Sequence, residues 1–377
     1  MKDVVITGGH GFLGWHLACQ LRALFGLQAR RLGRRTTQET ALFSELLGAA
    51  DTVFHLAGVN RATTDAAVEE GNVECGRQLA EAIRKAGRPM HVINANSIQC
   101  ELDNAYGRGK RAAAVVIAEA VEEVGGTLTD VILPNLFGEH GRPNYNSFVA
   151  TFAHAVAHDQ TPQVRDDHQV PLLHAQRAAA VMIDAARSTT SQVVRPEGRP
   201  TGIAEVLAKL RGFHGVYAER GELPDLSDPF ALDLFNTYRS YLFPQRYPML
   251  PQVHGDDRGA LFETVRVHGG TGQAFVSTTL RGARRGEHYH LHKVERFCVV
   301  KGEGLISLRR LLHDEVVTFR LSGDRPAFVD MPTLWVHNIV NVGAGELVTA
   351  FWSDRLLDDE NPDQYPEQVG PGERVTA

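Results

Sequence analysis

The character of the sequence changes once, and this change constrains the fold more than any other feature. On its N-terminal side, short apolar segments alternate with longer Ala-rich segments of helical character, which predicts parallel strands joined by helices. The run from Phe243 to Pro251 then holds three prolines and is typical of a semi-rigid linker. Beyond it, short strand-like segments are separated by glycine turns, as in a sandwich or barrel. We therefore predict an α/β domain with a doubly wound parallel sheet at 1–243, a linker at 244–252 and an all-β domain at 253–377.

Size and composition restrict the class of protein. With 377 residues, 43% hydrophobic and 22% charged, the chain has an ordinary globular composition and room for more than one core. Its net charge of −6 disfavours nucleic acid and acidic membrane surfaces as partners. There is no apolar run near the roughly 20 residues of a membrane span, no signal-peptide pattern and no CxxC pair, so we expect a cytoplasmic protein with reduced thiols. The tail after Leu357 is acidic and then contains proline and glycine, and we expect it to be loosely packed.

The N-terminal residues combine a strand, a glycine-rich turn and an amphipathic helical segment. Val4 to Ile6 predict the strand, and Gly8, Gly11 and Gly14 follow it with GxxGxxG spacing. Glycine lets the backbone approach a pyrophosphate closely, and a helix N-terminus offers free N–H groups. A tight turn without a ligand is the alternative. The predicted contacts to a dinucleotide in this turn are Gly8, Gly11, Phe12, Leu13 and Gly14.

The following segments refine the nucleotide prediction. The second strand, from Gln28 to Leu32, ends without the acidic residue that binds a ribose 2′-hydroxyl. Four arginines lie here instead, and Arg34 best suits a 2′-phosphate, so we predict NADPH; a solvated basic turn is the alternative. The interval to the next strand is too short for another strand and helix, which predicts an abbreviated Rossmann-like sheet. The GxxGxxG spacing is similar to that of the extended short-chain dehydrogenase/reductases, and Leu56 and Ala57 resemble their strand end beside the nicotinamide ribose.

Three residues in the middle of the α/β domain have the spacing of a proton-transfer site. Ser97 ends a predicted strand, Tyr106 follows nine residues later, and Lys110 lies one helical turn beyond it on the same face. An ammonium group lowers the pKa of a nearby phenol, so Tyr106 can give a proton to a carbonyl oxygen as hydride arrives. Ser97 can hydrogen-bond the same oxygen. A YxxxK pattern alone occurs by chance in helices, but in this order after a glycine turn it predicts a ketone reductase.

Two Asn-containing loops follow. Asn135 lies in the segment PNLFG and Asn144 in PNYNS, which leads into a predicted helix. Amide side chains here can bind sugar hydroxyls or uracil, and Tyr145 can stack on a ring. Capping of loops and helices is the alternative. In the extended reductases the corresponding region begins the substrate half.

Histidines in the all-β half have the spacing of metal ligands. His288 and His290 alternate on one strand face, Glu295 follows shortly after them, and His337 lies in a later strand. Three imidazoles and one carboxylate suit Zn²⁺, Fe²⁺, Ni²⁺ or Mn²⁺, whereas histidines without a ligand role are the alternative. The spacing resembles the two-part motif of the cupin superfamily. Leu334 stands where that family usually has glycine, so we expect a reshaped turn there.

The order of these parts resembles one family along nearly the whole chain. A reductase, a Pro-rich run and a cupin follow one another, with Asp256-Asp257-Arg258-Gly259 and GEHYHLHKVE in the last part. This arrangement is similar to that of the CapF-type enzymes of capsular polysaccharide synthesis. The resemblance implies that the cupin half epimerises C3 of a UDP-2-acetamido-2,6-dideoxy-4-hexulose and that the reductase half reduces its C4 ketone with NADPH. The implied product is a UDP-6-deoxy-L-talosamine derivative on the route to UDP-N-acetyl-L-fucosamine.

The resemblance also implies roles for single residues. Lys293 matches the family motif as the base of the epimerisation, with a solvated lysine as the alternative and His292 and Tyr289 as weaker candidates. Arg258 would hold phosphate or sugar oxygens, with Glu263 as its partner. Zinc is the expected metal, a homodimer the expected assembly, and a UDP-linked 4-keto-6-deoxy-HexNAc the expected substrate.

Two other functions are compatible with the sequence. The first is an NADPH-dependent 4-keto-sugar reductase whose cupin is structural and catalytically silent. The second is an NADP-sensing regulator with a sugar-binding cupin. The complete set of Ser97, Tyr106 and Lys110 argues against the regulator, since a sensor needs no proton donor.

Overall fold

The computed structural model describes residues 2–370. Contacts group the chain into two compact units. The first unit comprises residues up to 137, 144–147 and 168–202, and the second comprises 138–143, 148–167 and the residues from 203 onward. The sequence-based domain boundaries stay a prediction, and their outermost residues, Met1 and 371–377, lie outside the described residues.

Helices and strands alternate in the first two-thirds of the chain, and strands alone follow. The elements up to residue 239 are β1 (Val4–Thr7), α1 (Phe12–Phe25), β2 (Arg30–Leu32), α2 (Arg34–Gln38), α3 (Thr40–Gly48), β3 (Thr52–His55), α4 (Asp65–Ala86), β4 (His91–Ser97), α5 (Ala105–Glu123), β5 (Thr127–Leu133), β6 (Asn135–Phe137), α6 (Phe148–Ala157), β7 (Gln169–His174), α7 (Ala175–Ala185), β8 (Gln192–Val194), β9 (Arg199–Gly202), α8 (Ile203–Phe213) and α9 (Pro229–Arg239). The later strands are β10 (Val253–Asp256), β11 (Gly259–Phe262), β12 (Gln273–Thr279), β13 (Arg284–Tyr289), β14 (Glu295–Lys301), β15 (Glu303–Arg310), β16 (Val316–Ser322), β17 (Phe328–Met331), β18 (Trp335–Asn341), β19 (Leu347–Ser353) and β20 (Tyr365–Pro366).

The first unit is built on a six-stranded sheet. Its strands follow the order β2-β1-β3-β4-β5-β8, and every neighbouring pair is parallel. All residues of β1 and β3 are buried, as expected for strands covered on both faces. Val5, Val53 and Val92 pack in one apolar core with side chains from α3, α4 and α5. The predicted doubly wound α/β fold is confirmed.

The sheet is short on the β2 side, as the sequence indicates. In the described chain only the helices α2 and α3 connect β2 to β3, and β2 pairs with β1 alone. The predicted abbreviated sheet is therefore confirmed. A separate three-stranded sheet, β6-β7-β9, completes the strands of this unit, with β6 and β7 parallel and β9 antiparallel to β7.

Two larger antiparallel sheets and the two-stranded β10–β11 hairpin form the β part of the second unit. One has the order β12-β19-β14-β17 and the other β16-β15-β18-β13-β20. The ring centroid of Phe297 on β14 lies 5.8 Å from that of His337 on β18, so inner faces of the two sheets meet around the histidines. Phe351 packs on Phe297 from the neighbouring strand at 4.3 Å. The predicted all-β, cupin-like domain is confirmed, and the helices α6, α8 and α9 belong to the same compact unit.

A buried polar network ties the Pro-rich segment to this unit. Arg296 donates two hydrogen bonds to Asp330, of 2.7 and 2.9 Å. Tyr217 donates to the same carboxylate at 2.7 Å and lies 2.5 Å from the hydroxyl of Tyr247. Met249 pairs with Phe328 of β17 through the backbone. The segment therefore packs on the β sheets along its length.

The C-terminal segment is also packed. Asp363 and Val369 are buried, and β20 pairs with β13 in the five-stranded sheet. The expectation of a loosely packed tail after Leu357 is wrong for the described residues, because their side chains and backbone complete the surroundings of the histidine cluster.

Candidate active sites

The glycine-rich turn lies against the end of β3. Gly8 has φ +67°, and a Cβ there would lie 2.8 Å from the backbone nitrogen of Ala57. A Cβ on Gly14 would lie 2.4 Å from the carbonyl oxygen of Gly8, so only glycine permits this approach of α1 to the turn. The structure thus brings the predicted turn together with Leu56 and Ala57.

The first turn of α1 offers unpaired backbone donors to this region. The helix begins at Phe12, and its N-cap Gly11 has no side chain to cap it. The N–H groups of Phe12 and Leu13 belong to the first turn of the helix, where no intrahelical acceptor exists. The arrangement is chemically suited to a pyrophosphate, as predicted.

The basic segment lies at the end of β2, next to the turn. A Cβ on Gly9 would lie 2.7 Å from Cβ of Arg31, so β2 and the turn are in backbone contact. Arg34 is exposed and begins α2 directly after β2, whereas Arg30 lies 3.6 Å from Asp3 in an exposed ion pair. Arg34 is therefore an exposed cation at the start of the helix that follows β2, and its contact to a 2′-phosphate stays a prediction.

Ser97 and Tyr106 lie on either side of a tight connection. Ser97 is the last residue of β4, and its Oγ accepts a hydrogen bond from the backbone of Gln99 at 3.2 Å. Asn104 caps α5 and so places Tyr106 in the first helical turn. A Cβ on Gly107 would lie 2.0 Å from the carbonyl oxygen of Gln99, so the connection lies against the start of α5.

Lys110 and Tyr106 differ from their predicted electrostatics. Lys110 is buried and donates to the carbonyl oxygen of Ala95 at 2.6 Å. Burial raises the pKa of Tyr106 to about 12, so the predicted lowering of this pKa by Lys110 is wrong for the protein alone. Burial also lowers the pKa of Lys110. A phenol that stays protonated remains a competent proton donor.

Three polar residues that the motifs do not include support this region. His55 is hydrogen-bonded to Thr7 Oγ1 at 2.8 Å, and burial, with Lys110 adding to it, lowers its pKa to about 3. Asn72 accepts from the backbone of Val59 and donates back to it, which fixes the loop after Ala57. No sequence signal marks these residues, because their partners are backbone groups or lie far along the chain.

Asn135 and Asn144, the predicted substrate residues of the first unit, are both exposed and lie on different segments of the chain. Asn135 lies on β6. Asn144 has φ +54°, and its carbonyl oxygen accepts from Arg61 at 3.5 Å. The guanidinium of Arg61 lies 5.6 Å from the ring centroid of Tyr145, so one face of this ring already carries a cation.

The histidines and the carboxylate of the second unit converge as predicted. One ligand atom from each of His288, His290, Glu295 and His337 lies within 4.8 Å of the other three. Glu295 Oε2 lies 3.2 Å from Nε2 of His290 and 3.4 Å from Nε2 of His337. The cross-strand register of β13 and β18 pairs His288 directly with His337. Three strands, β13, β14 and β18, and the loop that joins β13 to β14 thus supply one compact ligand set.

The protonation of these residues fits a divalent cation. Nε2 of His288 and of His337 is buried without a hydrogen-bond partner among the described residues. Burial lowers the pKa of His288 to about 3, which leaves the neutral imidazole that coordinates metals. Burial alone would raise the pKa of Glu295, but His290 and His337 hold it well below its usual range. The donor set is that of a Zn²⁺ or related site.

Leu334 adopts the conformation that glycine favours. Its φ is +63° and its side chain is fully buried. Its N–H donates to the carbonyl oxygen of His290 at 2.8 Å, and its own carbonyl accepts from Leu311. The expected reshaping of this turn is wrong, because Leu334 has the left-handed backbone that glycine favours. This conformation is strained for leucine.

The other predicted residues of the barrel have different surroundings. Lys293 is buried in the loop before Glu295. Tyr289 is buried against Tyr365, with ring centroids 5.5 Å apart. The carbonyl oxygen of His292 accepts from Asn236 at 2.9 Å.

Arg258 lies on an exposed hairpin formed by β10 and β11. It donates to Asp256 at 2.5 Å. Glu263 pairs instead with Arg266 at 2.7 Å, so the expected pair of Arg258 and Glu263 is wrong. The carboxylates of Asp256 and Glu263 each pair with an arginine close to them in sequence.

The fold and the two residue sets combine, in one chain, a Rossmann-like α/β unit and a β domain that holds a cluster of histidines and one carboxylate. The family of NAD dependent epimerases/dehydratases matches residues 4–194, and the polysaccharide biosynthesis C-terminal domain matches residues 254–365. The chain belongs to the NAD dependent epimerase/dehydratase family. This membership supports a nicotinamide cofactor for the first unit.

Two relatives match nearly the whole chain. The UDP-2-acetamido-2,6-beta-L-arabino-hexul-4-ose reductase of Pseudomonas aeruginosa is 31% identical over 375 residues, which cover 98% of this chain and 99% of that protein. The crystal structure of the capsular polysaccharide assembling protein CapF from Staphylococcus aureus is 30% identical with a TM-score of 0.60, covering 98% of this chain and 100% of that one. The resemblance to CapF-type enzymes is confirmed. A UDP-glucose 4-epimerase from Thermotoga maritima, 15% identical with a TM-score of 0.50 over 57% of this chain and 83% of its own, shares the fold.

Proposed function

We propose that this protein is a bifunctional nucleotide-sugar enzyme. Its second unit epimerises C3 of a UDP-2-acetamido-2,6-dideoxy-4-hexulose, and its first unit reduces the C4 ketone with NADPH to a UDP-6-deoxy-L-talosamine derivative, on the route to UDP-N-acetyl-L-fucosamine. The observation that carries the proposal is the convergent ligand set, with the buried Lys293 two residues before the ligand Glu295, in a chain that also holds Ser97, Tyr106 and Lys110. The Pseudomonas relative, a reductase of a UDP-linked hexul-4-ose, supports the substrate class.

The epimerisation requires a base next to a group that stabilises negative charge. A hydrogen on the carbon beside a ketone becomes acidic when the charge on the ketone oxygen is stabilised, and this is the Lewis-acid chemistry that a bound divalent cation supplies. His288, His290, Glu295 and His337 would hold that cation. Lys293 removes the C3 proton, and return of a proton on the opposite face inverts the centre.

The reduction uses the proton donor of the first unit. Tyr106 transfers its phenolic proton to the C4 oxygen while NADPH supplies the hydride, and Ser97 donates a hydrogen bond to the same oxygen. Lys110 donates a hydrogen bond to the carbonyl oxygen of Ala95, which holds its side-chain nitrogen beside β4. Arg34 contacts the 2′-phosphate, and the turn from Gly8 binds the pyrophosphate.

Three further assignments belong to the proposal. Asn135 and Asn144 bind the substrate in the first unit, and Arg258 holds phosphate or sugar oxygens in the second. Zinc is the metal that we expect, because neutral imidazoles and one carboxylate at this spacing are its common ligands.

We also propose a homodimer formed through the second unit. Its described surface exposes large apolar side chains on the β10–β11 hairpin and on and after the edge strand β12. Leu261 is 70% exposed, Val276 67% and Leu280 73%, and an apolar edge strand is a site for pairing. Sedimentation of wild type and Val276→Asp tests this assembly, and a wild-type monomer at micromolar concentration would refute it.

The cellular location is proposed from the thiols. The four cysteines are free within the described chain, which fits a reducing cytoplasm. Among residues 2–370, no helix has the length and apolar character that crossing a membrane requires.

Proton NMR of the UDP-4-keto-6-deoxy-HexNAc substrate in D₂O, with enzyme and without NADPH, tests the epimerase. We expect deuterium to enter at C3, and we expect chelation or His290→Ala to abolish this exchange. Arg320→Ala, an exposed site on β16, is the matched control and should exchange as wild type does. Absence of exchange with metal demonstrably bound would leave a reductase with a silent β domain. Absence of NADPH consumption as well would leave the regulator.

A further inference from the structure

We propose that Asp363 is a positioning residue of the barrel site, where its carboxylate and its backbone carbonyl together fix a metal ligand and the loop that carries the base. The inference rests on the proposed function of this site. It assigns a role to a residue about seventy positions away in sequence from the groups that it contacts.

The carboxylate of Asp363 accepts three consecutive backbone N–H groups. Oδ1 accepts from Leu291 at 2.9 Å, and Oδ2 accepts from His292 at 2.9 Å and from Lys293 at 2.7 Å. Successive N–H groups that converge in this way form an anion-binding concavity, and a carboxylate satisfies them strongly. One side chain therefore holds three backbone donors of this loop.

The backbone of the same residue orients the ligand His290. Nδ1 of His290 donates to the carbonyl oxygen of Asp363 at 2.5 Å. With the proton on Nδ1, the free electron pair is on Nε2, which lies 3.2 Å from Glu295 Oε2 in the ligand cluster. Such a second contact fixes the tautomer and the ring plane of a ligating histidine.

Asp363 is itself held on both sides along the chain. Arg355 lies 3.8 Å from its Oδ2, and β20 begins two residues later and pairs with His288 and Tyr289 of β13. Its φ of +45° is a left-handed conformation, which non-glycine residues keep only where the surroundings impose it. The contacts thus hold this residue in one place.

The same loop has a second carboxylate clamp. Asp354 accepts from the N–H of Val294 at 3.0 Å, so every N–H from Leu291 to Val294 meets an aspartate. The base Lys293 therefore lies on a loop whose backbone donors are all paired. This pairing fixes the backbone position of Lys293. A proton transfer at a defined carbon requires a base in a fixed position.

Asp363→Asn tests the role of the carboxylate, with Asp359→Asn as the control from an exposed position of the same segment. We expect the affinity for Zn²⁺, measured by competition with a chromophoric chelator, to fall roughly ten- to a hundredfold in Asp363→Asn alone. The absorption spectrum of the Co²⁺-substituted protein should also change, because the ligand geometry changes. Wild-type affinity together with an unchanged Co²⁺ spectrum would overturn the inference.

A second variant keeps the test decisive if Asp363→Asn does not fold. Asp363→Glu retains both acceptor oxygens one methylene further out, and we expect an intermediate loss of Zn²⁺ affinity and a slower C3 exchange. Unchanged values of both would overturn the inference. If wild type shows no C3 exchange while the Asp363 variants still lose Zn²⁺ affinity, the proposed epimerase fails and the positioning of the ligands stands.

Discussion

Burial sets the protonation of the side chains on which both proposed reactions depend. Tyr106 stays a phenol because its charged form is poorly solvated, and His288 stays neutral for the same reason. A proton donor and a metal ligand are therefore prepared by one physical cause. The sequence motifs predicted which residue types would act. They did not predict the pKa values, because a pKa depends on how deeply the side chain is buried, and a motif does not contain that information.

The pH dependence of ketone reduction follows from Tyr106. Because its pKa is raised to about 12, the donating phenol form persists as pH rises, and we expect kcat/KM to show no loss from tyrosine ionisation below pH 10. Tyr106→Phe should lower kcat roughly a hundred- to ten-thousandfold. A tyrosinate absorbance that titrates below pH 10 in wild type and is missing in Tyr106→Phe would contradict this.

The buried pair of Arg296 and Asp330 should dominate the stability of the second unit. Asp330→Asn leaves a fully buried guanidinium with its carboxylate partner removed, which we expect to lower the free energy of unfolding by about 3–5 kcal/mol. Glu303→Gln breaks an exposed ion pair with Arg320 and should cost about 0–1 kcal/mol. Urea unfolding followed by fluorescence measures both, and equal losses would refute the distinction.

At the scale of single elements, the turn next to the ligand cluster has a strained backbone conformation. The turn before β18 places His337, and its leucine keeps a left-handed backbone that a family motif normally assigns to glycine. The position of the turn was predictable because ligand spacing is local. The conformation of the turn was not predictable. The strain energy of the backbone at Leu334 is offset by burial of the leucine side chain, which is not part of the motif.

Two substitutions at Leu334 separate strain from burial. Leu334→Ala and Leu334→Gly both empty most of the buried side-chain volume, but only alanine keeps a Cβ at positive φ. We therefore expect the glycine variant to be about 1 kcal/mol more stable than the alanine variant. At Leu308, a fully buried residue of β15, the order should reverse by about 0.5–1 kcal/mol. Thermal unfolding checks both pairs, and the same order at the two positions would contradict the assignment.

At the scale of the whole molecule, local chemistry was predictable and distant support was not. The glycine turn, the pair of Tyr106 and Lys110 and the ligands from His288 to Glu295 follow from spacing over a few neighbouring residues. Asp363 and Asn72 act on backbone groups, which every residue has, so no sequence pattern marks their partners. The break at the Pro-rich run marked where the all-β pattern begins, while contacts group earlier helices with the same unit.

Metal binding should stabilise one of the two compact units. Free Zn²⁺ at a hundred times its dissociation constant would add about 2.7 kcal/mol to the unit that holds the ligand set. Calorimetry should then show one shifted unfolding transition, and His290→Ala should abolish the shift. A zinc-dependent shift that survives in His290→Ala would place the cation elsewhere.

The division into units has a consequence for how such a gene is divided or recombined. The chain passes from the first unit to the second at residue 138 and back to the first at 144. It passes to the second again at 148, to the first at 168 and finally to the second at 203. A stop codon or a fusion point placed in the Pro-rich segment would therefore remove α6, α8 and α9 from the unit they pack in. No single cut yields two intact units, so both units depend on one uninterrupted reading frame.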